Sequence, residues 1–430
     1  MLCENCDRQL GYYKSSAYHC SSCGAFWKTW TLFILSFLFQ LLIMLYQCYS
    51  HFDQQQSEKV VKCLKIGWGY YLVGENTITH ILKQLIFHFQ VMGLIATFQP
   101  LPISLQDVLA SLFSSHLIVS RSVLCIIDLH SLGLPSSLTT EIINSLVILL
   151  QYLLLLSVVG VLMFRGTATG YSLRTKFTVC TFILMSFTCS SSLSTAVQFM
   201  STRTVLGERY SGLDLSIQKD SQTYRLFLYL YSLPSAVLWA VLFPSSIAFI
   251  LFSLRGRMTA RHFSERYLFL IREYTQRGHF WEFCKVIYIC LLTIGISLFN
   301  NEFYLQSSLV CIMVVAFNIL QYAVSPFRSL VTQRIFAICS NIQLITLLYG
   351  ISSRPVFSGF SGEGDGLSQE VKIALYTYFV VLVGIHLALI IYILMREYPQ
   401  IIRVLSILSL RAEMQLGIRC TGMFRMYYRR

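Results

Sequence analysis

Charge is scarce in this sequence: only 12% of the 430 residues are Asp, Glu, Lys or Arg. A soluble globular chain carries about a quarter, so that class is excluded. Proline is sparse as well, with 8 residues, and there are only 5 tryptophans. Several chemical signatures are missing. There is no glycine loop that would cradle a phosphate, no histidine pair at metal-ligand spacing and no nucleophile elbow, so neither an enzyme nor a cofactor is expected. What the chain has in abundance is apolar residues, at 55%, with aromatics at 14% and a mean hydropathy of +0.62.

The apolar residues fall in runs of the length a helix needs to cross roughly 30 Å of hydrocarbon. Nine runs qualify, at Thr29–Tyr49, His80–Phe98, Glu141–Phe164, Leu173–Val197, Tyr224–Leu254, Trp281–Asn300, Phe303–Ser325, Thr332–Ile351 and Val371–Leu394. The expected fold is therefore an all-α, polytopic membrane protein. Residues 1–25 form a small cysteine-rich module, 26–394 the helical membrane domain and 395–430 a basic tail.

The formal net charge is +13, but the cations lie between apolar runs and not on a polar basic domain, which argues against nucleic acid as a partner. Their distribution orients the chain. With the amino terminus outside and the carboxyl terminus in the cytosol, the inner segments carry 21 Lys and Arg, the outer segments 10, and Lys83 and Lys285 lie within spans. The opening residues lack the apolar core of a signal peptide. They begin within a cysteine motif, as the end of a longer ectodomain would.

That motif is Cys3-x2-Cys6-x13-Cys20-x2-Cys23. In an oxidising compartment the spacing serves two disulfides that staple a segment too small to bury a core. In the cytosol the same four thiolates would hold zinc. The outside placement favours the disulfides, and four cysteines allow three connectivities.

Cys3-Glu4-Asn5-Cys6, Gly11-Tyr12-Tyr13 and Cys20-Ser21-Ser22-Cys23 resemble the ephrin-receptor-like or growth-factor-receptor-like cysteine repeats of large multi-pass proteins of protists and algae. The membrane part is similar to the carboxyl-terminal domain of those proteins, which is itself similar to the transient-receptor-potential-like channel domains of fungi. This second likeness rests on Tyr267 to Tyr274, Trp281-Glu282, Ser325-Pro326-Phe327 and Thr346 to Gly350. It implies a membrane protein related to cation channels, without implying conduction, because one fold hosts many functions. Leu213 and Asp214 match an outer-loop pattern of the family. Gln218 stands near its cysteine, which puts a loop disulfide with a partner such as Cys125 in question.

Ionisable groups inside spans cost about 2.5–3.5 kcal/mol each at a helix centre and require a partner or water. At 100° per residue, His80, Lys83, Gln84, Phe87, Gln90 and Thr97 share one side of the second span. This stripe lines a conduit or ligand pocket, or else Lys83 snorkels from the helix end with His80 among the head groups. Glu282 and Lys285 are neighbours on the sixth span, as an ion pair or as part of a charged ring at a channel mouth. Asn318 and Gln321 on the seventh span and Asn341 and Gln343 on the eighth join helices by hydrogen bonds or face a polar path. His386 on the ninth reads as an interior histidine. Pro234 and Pro244 kink the fifth span, and the serines and threonines between Thr178 and Thr195 promise close helix packing on the fourth.

Outside the spans, residues 101–113 and 117–127 read as interfacial or re-entrant helices. The mixtures of Arg with Phe, Tyr and Leu at 255–279, and of Arg with Ile and Leu from Arg396 onward, read as amphipathic helices on the cytosolic leaflet. Gly359–Gly366 reads as a flexible outer loop. The expected partners are anionic inner-leaflet lipids, cations, and further copies of the chain or a larger membrane assembly. The sequence thus points to a channel or channel-related sensor, with a non-conducting receptor or adhesion protein, a structural membrane-assembly protein, or a lipid or solute transporter as alternatives.

Overall fold

The computed structural model describes residues 12–16, 19–22, 31, 34–35, 37–38, 40–48, 77–98, 136–164, 173–205, 207–213, 217–256, 267, 270–271, 273–275, 277–299, 303–358 and 384. The chain divides into two compact units, Met1–Phe357 and Ser358–Arg430. The ninth predicted span, His386, residues 101–127, the 359–366 loop and the tail lie outside the described residues, Gly384 excepted. So do Cys3, Cys6, Cys23, Asp214, Cys125 and all but a few residues between 257 and 276.

Helix dominates what is described. The long helices are α1 (Thr77–Phe98), α2 (Ser136–Phe164), α3 (Leu173–Met200), α4 (Gln222–Ser253), α5 (Trp281–Leu298), α6 (Phe303–Val324) and α7 (Leu330–Ser358). Among the described residues, five stretches are long and apolar enough to cross a membrane: Phe177–Met200, Gln222–Ser253, Trp281–Leu298, Tyr304–Val324 and Leu330–Tyr349. They coincide with the fourth to eighth predicted spans and fit an integral, multi-pass membrane protein. Helices α1 and α2 cover the second and third predicted spans, and residues 40–48 are helical within the first.

Two hairpins depart from the expected all-α fold. Strands β1 (Tyr12–Ser16) and β2 (His19–Ser22) pair antiparallel, with Lys14 opposite Cys20. Strands β3 (Thr202–Val205) and β4 (Glu208–Ser211) join α3 to α4. Thr, Val and Tyr favour extended backbone, and Gly207, at φ 88°, makes the reversal between β3 and β4. Gln218 bridges to Tyr210 beside this hairpin. Gly212 is fitted tightly there, since a Cβ would lie 2.9 Å from the Gln198 carbonyl oxygen.

Proline shapes α4 without breaking it. Two π-helical turns, Leu228–Ser232 and Leu238–Leu242, each end one residue before the pair that contains Pro234 or Pro244. A proline ring clashes with the carbonyl four residues back, and a π turn widens the helix at that point. Bonds five residues apart, Leu233 to Leu228 and Phe243 to Leu238, carry the chain past each proline.

Helix α5 is central and packs against α1, α3, α4 and α6. One apolar core joins α1, α5, α6 and α7, where the Tyr288 and Phe317 rings stack at 4.0 Å and Phe87 and Phe336 close around them. A second joins α3, α4 and α5 through Leu193, Phe243, Leu251 and Val286. A third packs Met44 and Cys48 on Leu155 of α2 and Cys180 of α3. Large side chains such as Leu230, Phe249, Phe252, Ile312 and Ile319 remain exposed. An apolar exterior around a packed interior is the surface that a lipid environment requires.

Candidate functional site

The polar stripe of α1 meets charges from two other segments. His80, Lys83 and Gln84 occupy one face of its first turns, because positions three and four apart are neighbours on a helix. Glu282 and Lys285 stand at the start of α5. Between α4 and α5, the Glu273-Tyr274 segment is held by a β-bridge from Tyr274 to Phe327. Arg328 N–H donates to the Glu273 carbonyl (3.0 Å), Thr275 N–H donates to the Pro326 carbonyl (2.7 Å), and the Arg328 Nε donates to the Tyr274 carbonyl (2.8 Å). Gly278 permits this docking, as a Cβ there would lie 2.6 Å from the Pro326 carbonyl oxygen. Glu273-Tyr274, Trp281-Glu282 and Ser325-Pro326-Phe327 are thus brought together in space.

The resulting cluster is tightly connected. Lys83 Nζ donates to Glu273 Oε1 at 2.6 Å and lies 3.0 Å from Glu282 Oε2. Lys285 Nζ lies 2.9 Å from the same Glu282 oxygen and 3.5 Å from Gln84 Oε1. Gln84 Nε2 donates to Glu273 Oε2 at 2.9 Å, with His80 Nδ1 at 3.5 Å. The Tyr274 hydroxyl donates to Glu282 Oε2 at 2.5 Å. Lys285 also lies over the Phe87 and Tyr274 rings, at 5.5 and 5.7 Å.

Glu273, Glu282 and Lys285 are at most 7% exposed. Buried charge is tolerated only when paired, and here two carboxylates face two ammonium groups. Burial alone would raise the Glu273 carboxyl, but the adjoining Lys83, with His80 and Lys285, overturns that and holds it well below the usual carboxylate range. The Tyr274 hydroxyl is pushed well above its ordinary value, by burial first and then by the charges of Glu273 and Glu282.

A cavity of about 120 Å³ opens beside the cluster. His80, Lys83, Glu273, Glu282 and Lys285 form its polar end, with Gln90 farther along α1. Phe87, Phe182, Ile183, Phe187, Phe243, Val286 and Ile289 form its apolar walls. Gln90 donates to the Ser186 carbonyl at 2.8 Å, which ties α1 to α3.

The structure therefore gathers His80, Lys83, Gln84, Glu282 and Lys285, and sets Gln90 along the same cavity. Asn318 and Gln321 lie elsewhere. Asn318 donates to the Val314 carbonyl of its own helix (3.0 Å), and Gln321 accepts from Ser340 across α6 and α7 (2.7 Å). Asn341 donates to the Tyr322 hydroxyl at 3.2 Å, and Gln343 pairs with His88 at 3.1 Å. Among the described residues, no group of histidine, cysteine and acidic side chains is arranged to hold a metal.

Glu273 and Tyr274 went unrecognised in the sequence reading as site residues. The available signal was a lone acid within the Arg-rich 266–277 stretch, next to a tyrosine and shortly before Glu282. The chain matches no family model, no curated protein and no solved structure.

Proposed function

We propose that this is a transient-receptor-potential-like integral membrane protein, a cation channel or channel-related sensor, with its amino terminus outside and its carboxyl terminus in the cytosol. The observation that carries the reading is the ion-paired cluster of Lys83, Glu273, Glu282 and Lys285. In the proposed orientation it lies at the inner membrane face. It clamps α1 to α5 through a segment whose other side docks on the turn between α6 and α7. A displacement of that segment is thereby transmitted to two helix pairs, as a gate or sensor requires.

The cluster acts as a latch and not as a pore wall, because its charges are committed to one another. The cation path belongs to other surfaces, and a homo-oligomer is the form in which helices exposing Ile312 and Ile319 meet partners. Anionic lipids at the inner leaflet complete the proposed surroundings.

The test is electrical. Purified protein in planar bilayers is expected to pass cations, with open probability altered by Lys83→Ala and by Glu273→Gln. Bilayers that stay silent with correctly folded protein would remove conduction.

The second reading is a non-conducting receptor or anchor. The close aromatic packing of Phe87, Tyr288, Phe317 and Phe336 between α1, α5, α6 and α7 favours it, since an anchor needs only a filled interior. A silent bilayer together with binding of an outer-face partner selects this reading.

A further inference from the structure

We infer that the cavity between α1, α3, α4 and α5 is a binding site for an uncharged amphiphile, which presents a hydroxyl to Glu282 and an apolar chain to the surrounding phenylalanines. The space decides first. Its volume of about 120 Å³ is several times the roughly 10–15 Å³ that one water needs on the same measure. A substantial part of a ligand fits.

The lining decides the kind of ligand. The charged groups gather together, and the rest of the lining is mostly apolar, with Phe182, Ile183, Phe187, Phe243 and Ile289 beside Gln47, Gln90 and Ser186, so the complement is a largely hydrocarbon molecule with a small polar end.

Charge then narrows the head group. Lys83 and Lys285 already balance Glu273 and Glu282 at hydrogen-bond distances. A cationic or anionic head would bring an uncompensated charge into a buried setting, or would have to break one of these pairs. A neutral head does neither.

The remaining unused valence is an acceptor. Glu282 receives Lys83, Lys285 and the Tyr274 hydroxyl all on Oε2. A carboxylate offers about four acceptor sites, one more than these three donors fill, and Glu282, only 7% exposed, lines the cavity. A hydroxyl donates one hydrogen bond to a carboxylate oxygen without adding charge. A long-chain alcohol, a sterol or a monoacylglycerol has this chemistry.

The site does not depend on conduction, so the test measures binding. The purified full chain, in phosphatidylcholine nanodiscs, is exposed to a long-chain alcohol carrying a diazirine and then illuminated. Labels are expected on cavity residues such as Phe87, Phe182 and Ile289. Hexadecanol is expected to displace the probe about tenfold better than hexadecylamine or palmitate, the scale of one charge-assisted hydrogen bond gained or lost. Ser186→Phe, which fills the cavity from α3, is expected to abolish the cavity labels. Glu282→Gln is expected to weaken them about tenfold.

The inference is overturned if labels fall only on outward-facing residues such as Phe249 and Ile312. It is equally overturned if palmitate or hexadecylamine competes as well as hexadecanol, or if Ser186→Phe leaves the labelling unchanged. Should Glu282→Gln fail to fold, the competitor series and Ser186→Phe still decide the matter. A silent bilayer with a positive labelling result would reject the channel reading and keep this one.

Discussion

Lys83 and Glu273 stand 190 positions apart in the chain, yet the Lys83 Nζ donates to the Glu273 Oε1 at 2.6 Å. The contact places an ammonium from the start of α1 against a carboxylate from the segment before α5, and Glu282 takes the same ammonium at 3.0 Å. Removing one member leaves the others buried with unbalanced charge. Lys83→Met is therefore expected to destabilise the detergent-solubilised protein by about 3–5 kcal/mol. The double change Lys83→Met with Glu273→Leu is expected to recover a large part of that loss. Thermal unfolding followed by circular dichroism checks both, and equal losses in the single and double variants would refute the pairing.

Acid should act through the same residue. Glu273 is held well below the usual carboxylate range in the folded protein. Its contribution to stability is thus complete above the ordinary glutamate value of about 4.3 and is lost as pH falls through the depressed folded value. Unfolding temperature is expected to drop on acidification below that range, and the drop should be smaller in Glu273→Gln, measured in the same detergent at fixed salt.

Gly278 offers a steric test of the docking between 273–278 and the turn after α6. A methyl group there meets Pro326 backbone atoms at 2.6 and 2.7 Å, and backbone cannot step aside. Gly278→Ala is expected to cost about 1–3 kcal/mol. At Gly295 the nearest obstacle is the flexible Met313 Cε at 2.8 Å, so Gly295→Ala should be milder. Chemical denaturation of the two variants side by side makes the comparison, and reversal of their order would contradict the observed packing.

Two thiols test how the 40–48 helix seats on α3. Cys48 Sγ and Cys180 Sγ are 3.6 Å apart and both are buried. Mild oxidation with diamide is expected to join them within one chain, visible as a linked peptide on a non-reducing map and absent in Cys180→Ser. A map that instead links either thiol to Cys311 would show different helix neighbours.

Much of the architecture is legible in the sequence. Run length and hydropathy placed the fourth to eighth spans within a few residues of the observed helices, because in lipid a segment must satisfy its own backbone and can do so only as a helix. The stripe on α1 was visible from helical periodicity, and Glu282 with Lys285 from their spacing of three. Pro234 and Pro244 were legible as disturbances, but their accommodation by π turns was not, since a proline removes a hydrogen bond without dictating how the helix reroutes the rest.

Sequence by itself determined the fourth to eighth spans as helices long enough to cross lipid, and which positions within them carry polar groups. These follow from local composition and from a period of 3.6 residues. Tertiary structure alone decided that Lys83 meets Glu273 and not a lipid head group, that Asn318 turns to its own helix, and that one face of the charge cluster adjoins a cavity. Those outcomes depend on how α1, α5 and the Glu273-Tyr274 segment approach one another, a long-range geometry that neither helical period nor residue spacing encodes.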